Sequence, residues 1–160
     1  MDAREDPLPV AIPDLSRLVP GGRLVADDEL GEFALGAVLA LHLGDAEGRG
    51  AAAGWRGDRY RIWEDDGGRF VIAYRVVAAD AQIAGTLASH LQASVEKRHP
   101  ELAGKAAVRP GGLVTWADAG RAFAVERRGA SIVLLENVPA QALDRARDAI
   151  WRTRPAGASR

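Results

Sequence analysis

Three histidines, His42, His90 and His99, are the side chains of this sequence best suited to bind zinc or to move protons near neutral pH. A zinc site needs two or three ligands at the spacing of a helix or a turn, as in the HExxH motif, and these histidines lack that spacing. The chain contains no cysteine, which excludes thiolate metal sites, disulfides and cysteine nucleophiles. The sequence therefore predicts no metal site and no cofactor.

Serine and carboxylate side chains offer little more for catalysis. Ser89 precedes His90, but adjacent residues of a helix point apart, and a Gly-x-Ser-x-Gly nucleophile motif does not occur. The carboxylates at 64–66 fall at a predicted strand end, where a solvated turn is the favoured interpretation. An acid–base role for them with partners from distant sequence stays open. We therefore predict a non-catalytic domain, with an enzyme of unrecognised class as the weaker alternative.

Arginine and tryptophan side chains at alternate positions suggest binding chemistry instead. Arg59, Arg61 and Trp63 share one face of a predicted strand, and Arg75 of the next predicted strand can lie beside them. Guanidinium groups bind carboxylates through charge-assisted hydrogen bonds, so this candidate binding face suits an acidic peptide or a small acidic ligand. The favoured alternative is a solvated sheet face that pairs with carboxylates of the chain itself.

The stretch AAAGWRGDRY, residues 51–60, contains an Arg-Gly-Asp triplet like that of integrin ligands. The flanking aromatic residues do not suit an exposed adhesion loop, so we interpret the stretch as a connection between a helix and the sheet. A glycine ends an alanine-rich segment, a tryptophan packs against the helices, and an aspartate holds a tight turn by accepting backbone N–H bonds. The residues of this structural motif are Gly54, Trp55, Gly57, Asp58 and Tyr60.

The surrounding elements alternate in a pattern typical of an α+β domain. Apolar residues recur every three or four positions from Leu30 to Leu41, which predicts one apolar face on a first helix that starts near Asp28. Asp80 caps a second helix that Pro100 stops. Helices are predicted at 28–44, 80–99 and 139–151, with a short alanine-rich segment at 46–53. Strands are predicted at 59–64, 69–78, 113–118, 121–128 and 131–137.

Short connections join these strands into a hairpin followed by a three-strand meander, which requires antiparallel pairing. The predicted fold is therefore a single antiparallel sheet of about five strands with about three helices packed on one face. We expect an extended proline-rich arm or linker at 1–14, one domain at 15–152 and a flexible tail at 153–160.

The charge balance and the hydropathy of the chain exclude some classes of binding partner. The chain of 160 residues has 21 basic and 22 acidic residues, and this balance argues against nucleic acid. The run FALGAVLALHL is too short to span a bilayer, and the acidic start lacks a secretory signal. We therefore expect no membrane insertion. The compartment is open: cytoplasmic if the chain is complete, exported if it belongs to a longer protein.

The order Leu30-Gly31-Glu32 and then AAAGWRGDRY resembles the C-terminal module of exported zinc-metallopeptidase-like proteins of bacteria and archaea. The resemblance covers roughly residues 14–152. The HExxH region of that group has no counterpart here, so the resemblance implies a non-catalytic accessory or protein-interaction module and not a peptidase. It also implies a peptidase-like or envelope protein as partner, with the oligomeric state open. The alternative function is a small-ligand or peptide-binding domain that uses the Arg/Trp face.

Overall fold

One antiparallel sheet of seven strands forms the centre of the structure, a computed structural model that describes residues 6–155. The strands are β1 (Arg23–Asp28), β2 (Trp55–Glu64), β3 (Phe70–Ala78), β4 (Ala107–Arg109), β5 (Leu113–Asp118), β6 (Arg121–Arg128) and β7 (Ser131–Pro139). The helices are α1 (Gly31–Leu43), α2 (Asp45–Ala52), α3 (Ala81–Arg98) and α4 (Leu143–Arg152). The strands lie in the order β1-β2-β3-β7-β6-β5-β4, so β7 joins the hairpin to the meander.

The prediction of about five strands is wrong because it misses both edges of the sheet. Strand β1 pairs with β2 and strand β4 pairs with β5, each along one side only. Edge strands are often very short or carry charged side chains, which prevents their free backbone groups from pairing with another chain. Strand β1 carries two aspartates and strand β4 has three residues, so neither gives a clear periodic signal.

The prediction that the helices pack on one face is also wrong. Helices α1, α2 and α3 cover one face, while α4 and residues 12–19 cover the other. Strand β7 shows why two covers are needed. Ile132 and Leu134 point toward the core beneath α1, α2 and α3. Val133 and Leu135 point toward the core beneath α4, and all four side chains are buried. An uninterrupted apolar run of this kind is typical of a strand buried on both faces.

Helix α1 buries the side that the apolar spacing did not select. Leu35, Gly36 and Leu39 face the core, whereas Phe33 and Leu41 are 78% and 81% exposed. Helix α2 lies close across the buried side, where a Cβ at Gly48 would overlap the backbone nitrogen of Ala40. The packing of α1 against α2, α3 and the sheet therefore decides which face of α1 is covered.

The proline-rich segment at the start of the described residues packs against the sheet. Val10 and Ile12 are buried, and the backbone N–H of Leu8 donates to the carbonyl oxygen of Arg56 at 2.6 Å. Residues 1–5 of the predicted arm and residues 156–160 of the predicted tail lie outside the described part. In residues 6–155, none of the helices has the length and apolar character required to cross a membrane.

Candidate functional site

Asp58 joins three elements at one corner of the domain. Its side chain lies on strand β2, is 1% exposed and accepts hydrogen bonds from four donors among the described residues. Two donors are the backbone N–H groups of Leu30 and Gly31, at 2.9 and 3.1 Å, and the others are Trp55 Nε1 at 3.0 Å and Tyr74 Oη at 2.9 Å. A buried carboxylate is costly unless hydrogen bonds replace its water, and these bonds do so.

This carboxylate also explains where α1 begins. The helix starts at Gly31 and not near Asp28, and its N-cap residue Leu30 makes no side-chain cap. Asp58, from a strand distant in sequence, accepts from the free N–H groups there and places its negative charge at the positive end of the helix. Burial, followed by the nearby Asp58 carboxylate, raises the pKa of Tyr74 well above its usual value, so Tyr74 remains a donor.

Two glycines let the backbone approach this corner closely. Gly54 has a φ of 86°, and a Cβ there would lie 2.9 Å from Cδ1 of Ile83. A Cβ at Gly57 would overlap the carbonyl oxygen of Leu8, which belongs to the proline-rich segment. Strand β2 already begins at Trp55 and contains a bulge between Trp55 and Gly57, so the expected tight turn at Gly57 does not form.

A groove of about 890 Å³ opens beside this corner. Trp55 and Leu30 line it together with Phe33, and the guanidinium of Arg49 lies 5.9 Å from the centre of the Phe33 ring. The residues that line the groove are Asp6, Pro7, Leu30, Gly31, Glu32, Phe33, Gly36, Arg49, Trp55 and Arg56. The volume falls in the range of ligand pockets, roughly 300–1,000 Å³.

An apolar stripe continues from the groove along α1. Phe33, Val38 and Leu41 are 78%, 39% and 81% exposed; Leu41 lies two helical turns after Phe33 and three residues after Val38, so it is a neighbour of both. We refer to these three residues as the outer α1 surface. Contiguous exposed apolar patches on folded domains mark interaction sites more often than isolated exposed side chains do.

The chain segment that contains the outer α1 surface is rich in acidic residues. The segment 27–50 contains six carboxylates and a single basic residue, Arg49, in a chain whose net charge is −1. Burial lowers the pKa of His42 below its usual 6.5, so this histidine adds little positive charge at pH 7. We refer to the exposed carboxylates of this segment as the acidic rim, which consists of Asp28, Glu29, Glu32, Asp45 and Glu47.

The four residues of the predicted binding face do lie on one side of the sheet. Trp63 is fully buried beneath residues 12–19. Arg59 and Arg61 have side chains that are 32% and 22% exposed, and both contact Asp27. The Asp27 carboxylate has a lowered pKa, chiefly because Arg59 donates a hydrogen bond to it.

Arg75, the fourth residue, holds the end of α4. Its guanidinium donates to the carbonyl oxygens of Ile150 and Thr153 at 3.1 and 2.9 Å and lies 5.4 Å from the Trp151 ring. A ligand on this face would meet only Arg59 and Arg61 among the four, and it would compete with the Asp27 carboxylate.

The other buried carboxylates bind side chains of their own chain. Glu126 accepts from Arg147, Arg128 and Trp151, so it ties β6 to α4. Burial alone would raise the pKa of Glu126, but these hydrogen bonds lower it below its usual value. Such bonds connect secondary-structure elements and leave the carboxylate with little capacity for a substrate.

Glu136 serves the same purpose at the end of α3. It is 2% exposed and contacts Arg98 and His99, whose donors lower its pKa although burial opposes them. His90 lies elsewhere, 3.4 Å from the carboxylate of Glu47. Within residues 6–155, groups of three or more histidine, aspartate or glutamate side chains placed to hold a metal ion are absent.

Two features of the sequence indicate this corner. Asp58 alternates with Tyr60 and Ile62 on the face of β2 that points toward α1, α2 and α3, so a carboxylate occupies a position where an apolar residue is expected. Helix α1 is apolar on every side, whereas a helix at the surface of a domain usually has one polar side. The side that faces away from the core therefore exposes apolar side chains to solvent.

Comparisons with known proteins identify a matching family model and a solved structure of similar fold. The family model described as "Domain of unknown function (DUF8575)" matches residues 17–147. The search of curated proteins found no match. The chain is similar in fold to the crystal structure of the extracellular domain of PknH from Mycobacterium tuberculosis. The TM-score is 0.52 at 15% sequence identity, over 90% of this chain and 94% of that chain.

Proposed function

Since the chain belongs to the DUF8575 family, whose description names no activity, we propose its function from the geometry: a non-catalytic protein-interaction module that binds its partner through the outer α1 surface. The main observation behind this proposal is the exposure of Phe33 and Leu41, two large apolar side chains on one side of α1. The helix that carries them begins at the corner where Asp58 accepts backbone hydrogen bonds. Fold likeness does not imply shared function, so the similarity to an extracellular domain adds no partner.

Rigidity at the start of α1 supports this proposal. Asp58 holds the backbone of the first turn, and Gly48 lets α2 pack closely against the C-terminal half of the helix. Binding costs least free energy when the contact surface is already ordered, because few side chains and loops lose freedom. A stiff helix that presents Phe33 and Leu41 is therefore a suitable anchor for a partner chain.

The buried polar groups support the non-catalytic part of the proposal. Asp58, Glu126 and Glu136 each bind donors from neighbouring elements, and Asp65 does the same at the turn between β2 and β3. A catalytic carboxylate has to meet the substrate within hydrogen-bond reach. The role of accessory to a peptidase-like or envelope protein stays a prediction from the sequence resemblance.

Peptide selection tests the interaction surface. Random peptides displayed on phage are selected on the wild-type chain and then measured against a Phe33→Ser/Leu41→Ser variant. We expect the variant to lose at least about tenfold in affinity, because the burial of two large side chains is removed. Val108→Ser is the matched control, since Val108 is 82% exposed on β4 at the opposite edge of the sheet.

The control separates a specific surface from general apolar adhesion. Peptides that lose affinity for the double variant and keep it for Val108→Ser support the proposal. Peptides that bind all three proteins alike, or a selection that yields no peptide above background, would refute it. Circular dichroism and thermal unfolding of each variant verify that these exposed substitutions leave the fold intact.

A further inference from the structure

The charges around the outer α1 surface specify the chemistry of the partner. We propose that the partner is an amphipathic helix of another protein whose apolar stripe is flanked by lysine or arginine side chains. This inference rests on the proposed function and adds to it the class of occupant. Two observations carry it: the acidic rim and the shape of α1.

Along the sequence, members of the acidic rim lie before and after the outer α1 surface. Glu29 precedes Phe33 by four residues, and Asp45 follows Leu41 by four residues. Basic side chains lie close to two members of the rim: Arg49 is 3.4 Å from Asp45 and lies over the Phe33 ring, and Arg59 is 3.9 Å from Glu29. A partner that buries the stripe therefore brings its own flanks against carboxylates, and basic flanks are electrostatically complementary.

The shape of the surface suits a helix. Helix α1 has 13 residues and is therefore about 20 Å long, which matches three turns or more of an adjacent helix. Ala37 lies between Phe33 and Leu41, so a small side chain separates two large ones. A side chain of the partner can enter that gap, as ridges of one helix enter grooves of another.

Charge also disfavours the two other occupants of an apolar helix surface. A second copy of this chain would bring one acidic rim against another, which costs free energy. An anionic lipid surface would repel the same carboxylates. These two occupants are separate outcomes of the test below.

The test compares two labelled helical peptides with the same leucine stripe, one with lysine and one with glutamate at every flanking position. Fluorescence anisotropy measures their affinity for the wild-type chain in low and moderate salt. We expect the lysine peptide to bind about tenfold or more tightly than the glutamate peptide, and its affinity to fall as salt increases. Phe33→Ser/Leu41→Ser should remove binding, and Val108→Ser should not.

A second experiment neutralises the carboxylates of the acidic rim. A triple variant with Glu29→Gln, Glu32→Gln and Asp45→Asn should weaken the lysine peptide about tenfold at low salt. A matched triple variant removes three exposed carboxylates elsewhere and should have a small effect; it carries Asp66→Asn, Glu101→Gln and Asp148→Asn. Because all six side chains are exposed, both triple variants should fold.

Several results would overturn the proposal. These are equal binding of the two peptides, failure of both to bind, or unchanged binding to the rim variant. Self-association in sedimentation velocity that depends on Leu41, or binding to phosphatidylglycerol vesicles, would identify another occupant. If phage-selected peptides without basic flanks bind through Phe33 and Leu41, the interaction function stands and only the basic partner is refuted.

Discussion

Replacing Asp58 with asparagine should destabilise the fold far more than a change of one atom suggests. The carboxylate accepts from Leu30, Gly31, Trp55 and Tyr74. An amide oxygen can accept two of these bonds, and the amide NH₂ then faces donors that it cannot satisfy. Each buried donor left without an acceptor costs about 1–3 kcal/mol.

Partial exposure moderates the loss. Leu30 and Trp55 are half-buried, so water can reach some of the released donors, whereas the Tyr74 side chain is 4% exposed. We therefore expect Asp58→Asn to lower the free energy of unfolding by about 2–4 kcal/mol. The assay is urea denaturation followed by tryptophan fluorescence, with hydrogen exchange at the amides of Leu30 and Gly31 as the local measure.

A double-mutant cycle isolates the contribution of one bond. Tyr74→Phe removes one donor and should cost about 1.5–3 kcal/mol, the range of a hydrogen bond to a charged group. In the Asp58→Asn background the same change should cost less, since the hydroxyl there already lacks a full acceptor. Additive losses, or an Asp58→Asn variant within about 0.5 kcal/mol of wild type, would refute the role of Asp58 at this corner.

Two further outcomes follow from the structure. Gly48→Ala should destabilise the fold by about 1–3 kcal/mol, because the added Cβ would overlap Ala40. Gly50→Ala in the same helix has open space around it and should stabilise the fold by about 0.5–1 kcal/mol. Thermal and urea unfolding compare the two variants, and similar effects would show that α2 does not pack closely on α1. The hydrogen bond from the backbone N–H of Arg69 lowers the pKa of Asp65 from 3.8 to about 2; burial opposes this shift, and bonds from Arg121 and Gly67 add to it. The stabilising contribution of Asp65 is therefore present above pH 3.8 and is lost as the pH falls toward 2. Asp65→Asn should therefore flatten the pH dependence of urea stability across that window, and an unchanged slope would contradict this.

Local patterns predicted much of the fold. Asp80 caps α3 by accepting from the N–H of Ile83 at 2.8 Å, as the sequence indicated, and the helix ends at Arg98 just before Pro100. The meander of β5, β6 and β7 follows from three apolar strands with short turns between them. These features depend on residues close together in the chain, so propensity and capping rules suffice to predict them.

Long-range contacts decided the candidate site. The apolar spacing of α1 predicted one apolar face that includes Phe33, whereas the packing of the helix against α2, α3 and the sheet buries Leu35 and Leu39 and leaves Phe33 exposed. The Arg/Trp face illustrates the same limit. Its residues align as the strand period predicts, but burial of Trp63 depends on residues 12–19, which no local pattern places there.

By itself the sequence determined the α+β class, the antiparallel meander and the acidic character of segment 27–50. Tertiary structure alone decided that Asp58 starts a helix distant in sequence and that the outer α1 surface is uncovered. The physical reason is that an amphipathic period specifies which residues share a side, whereas the packing of other elements specifies which side loses its water. In a helix that is apolar on every side, only that packing can choose.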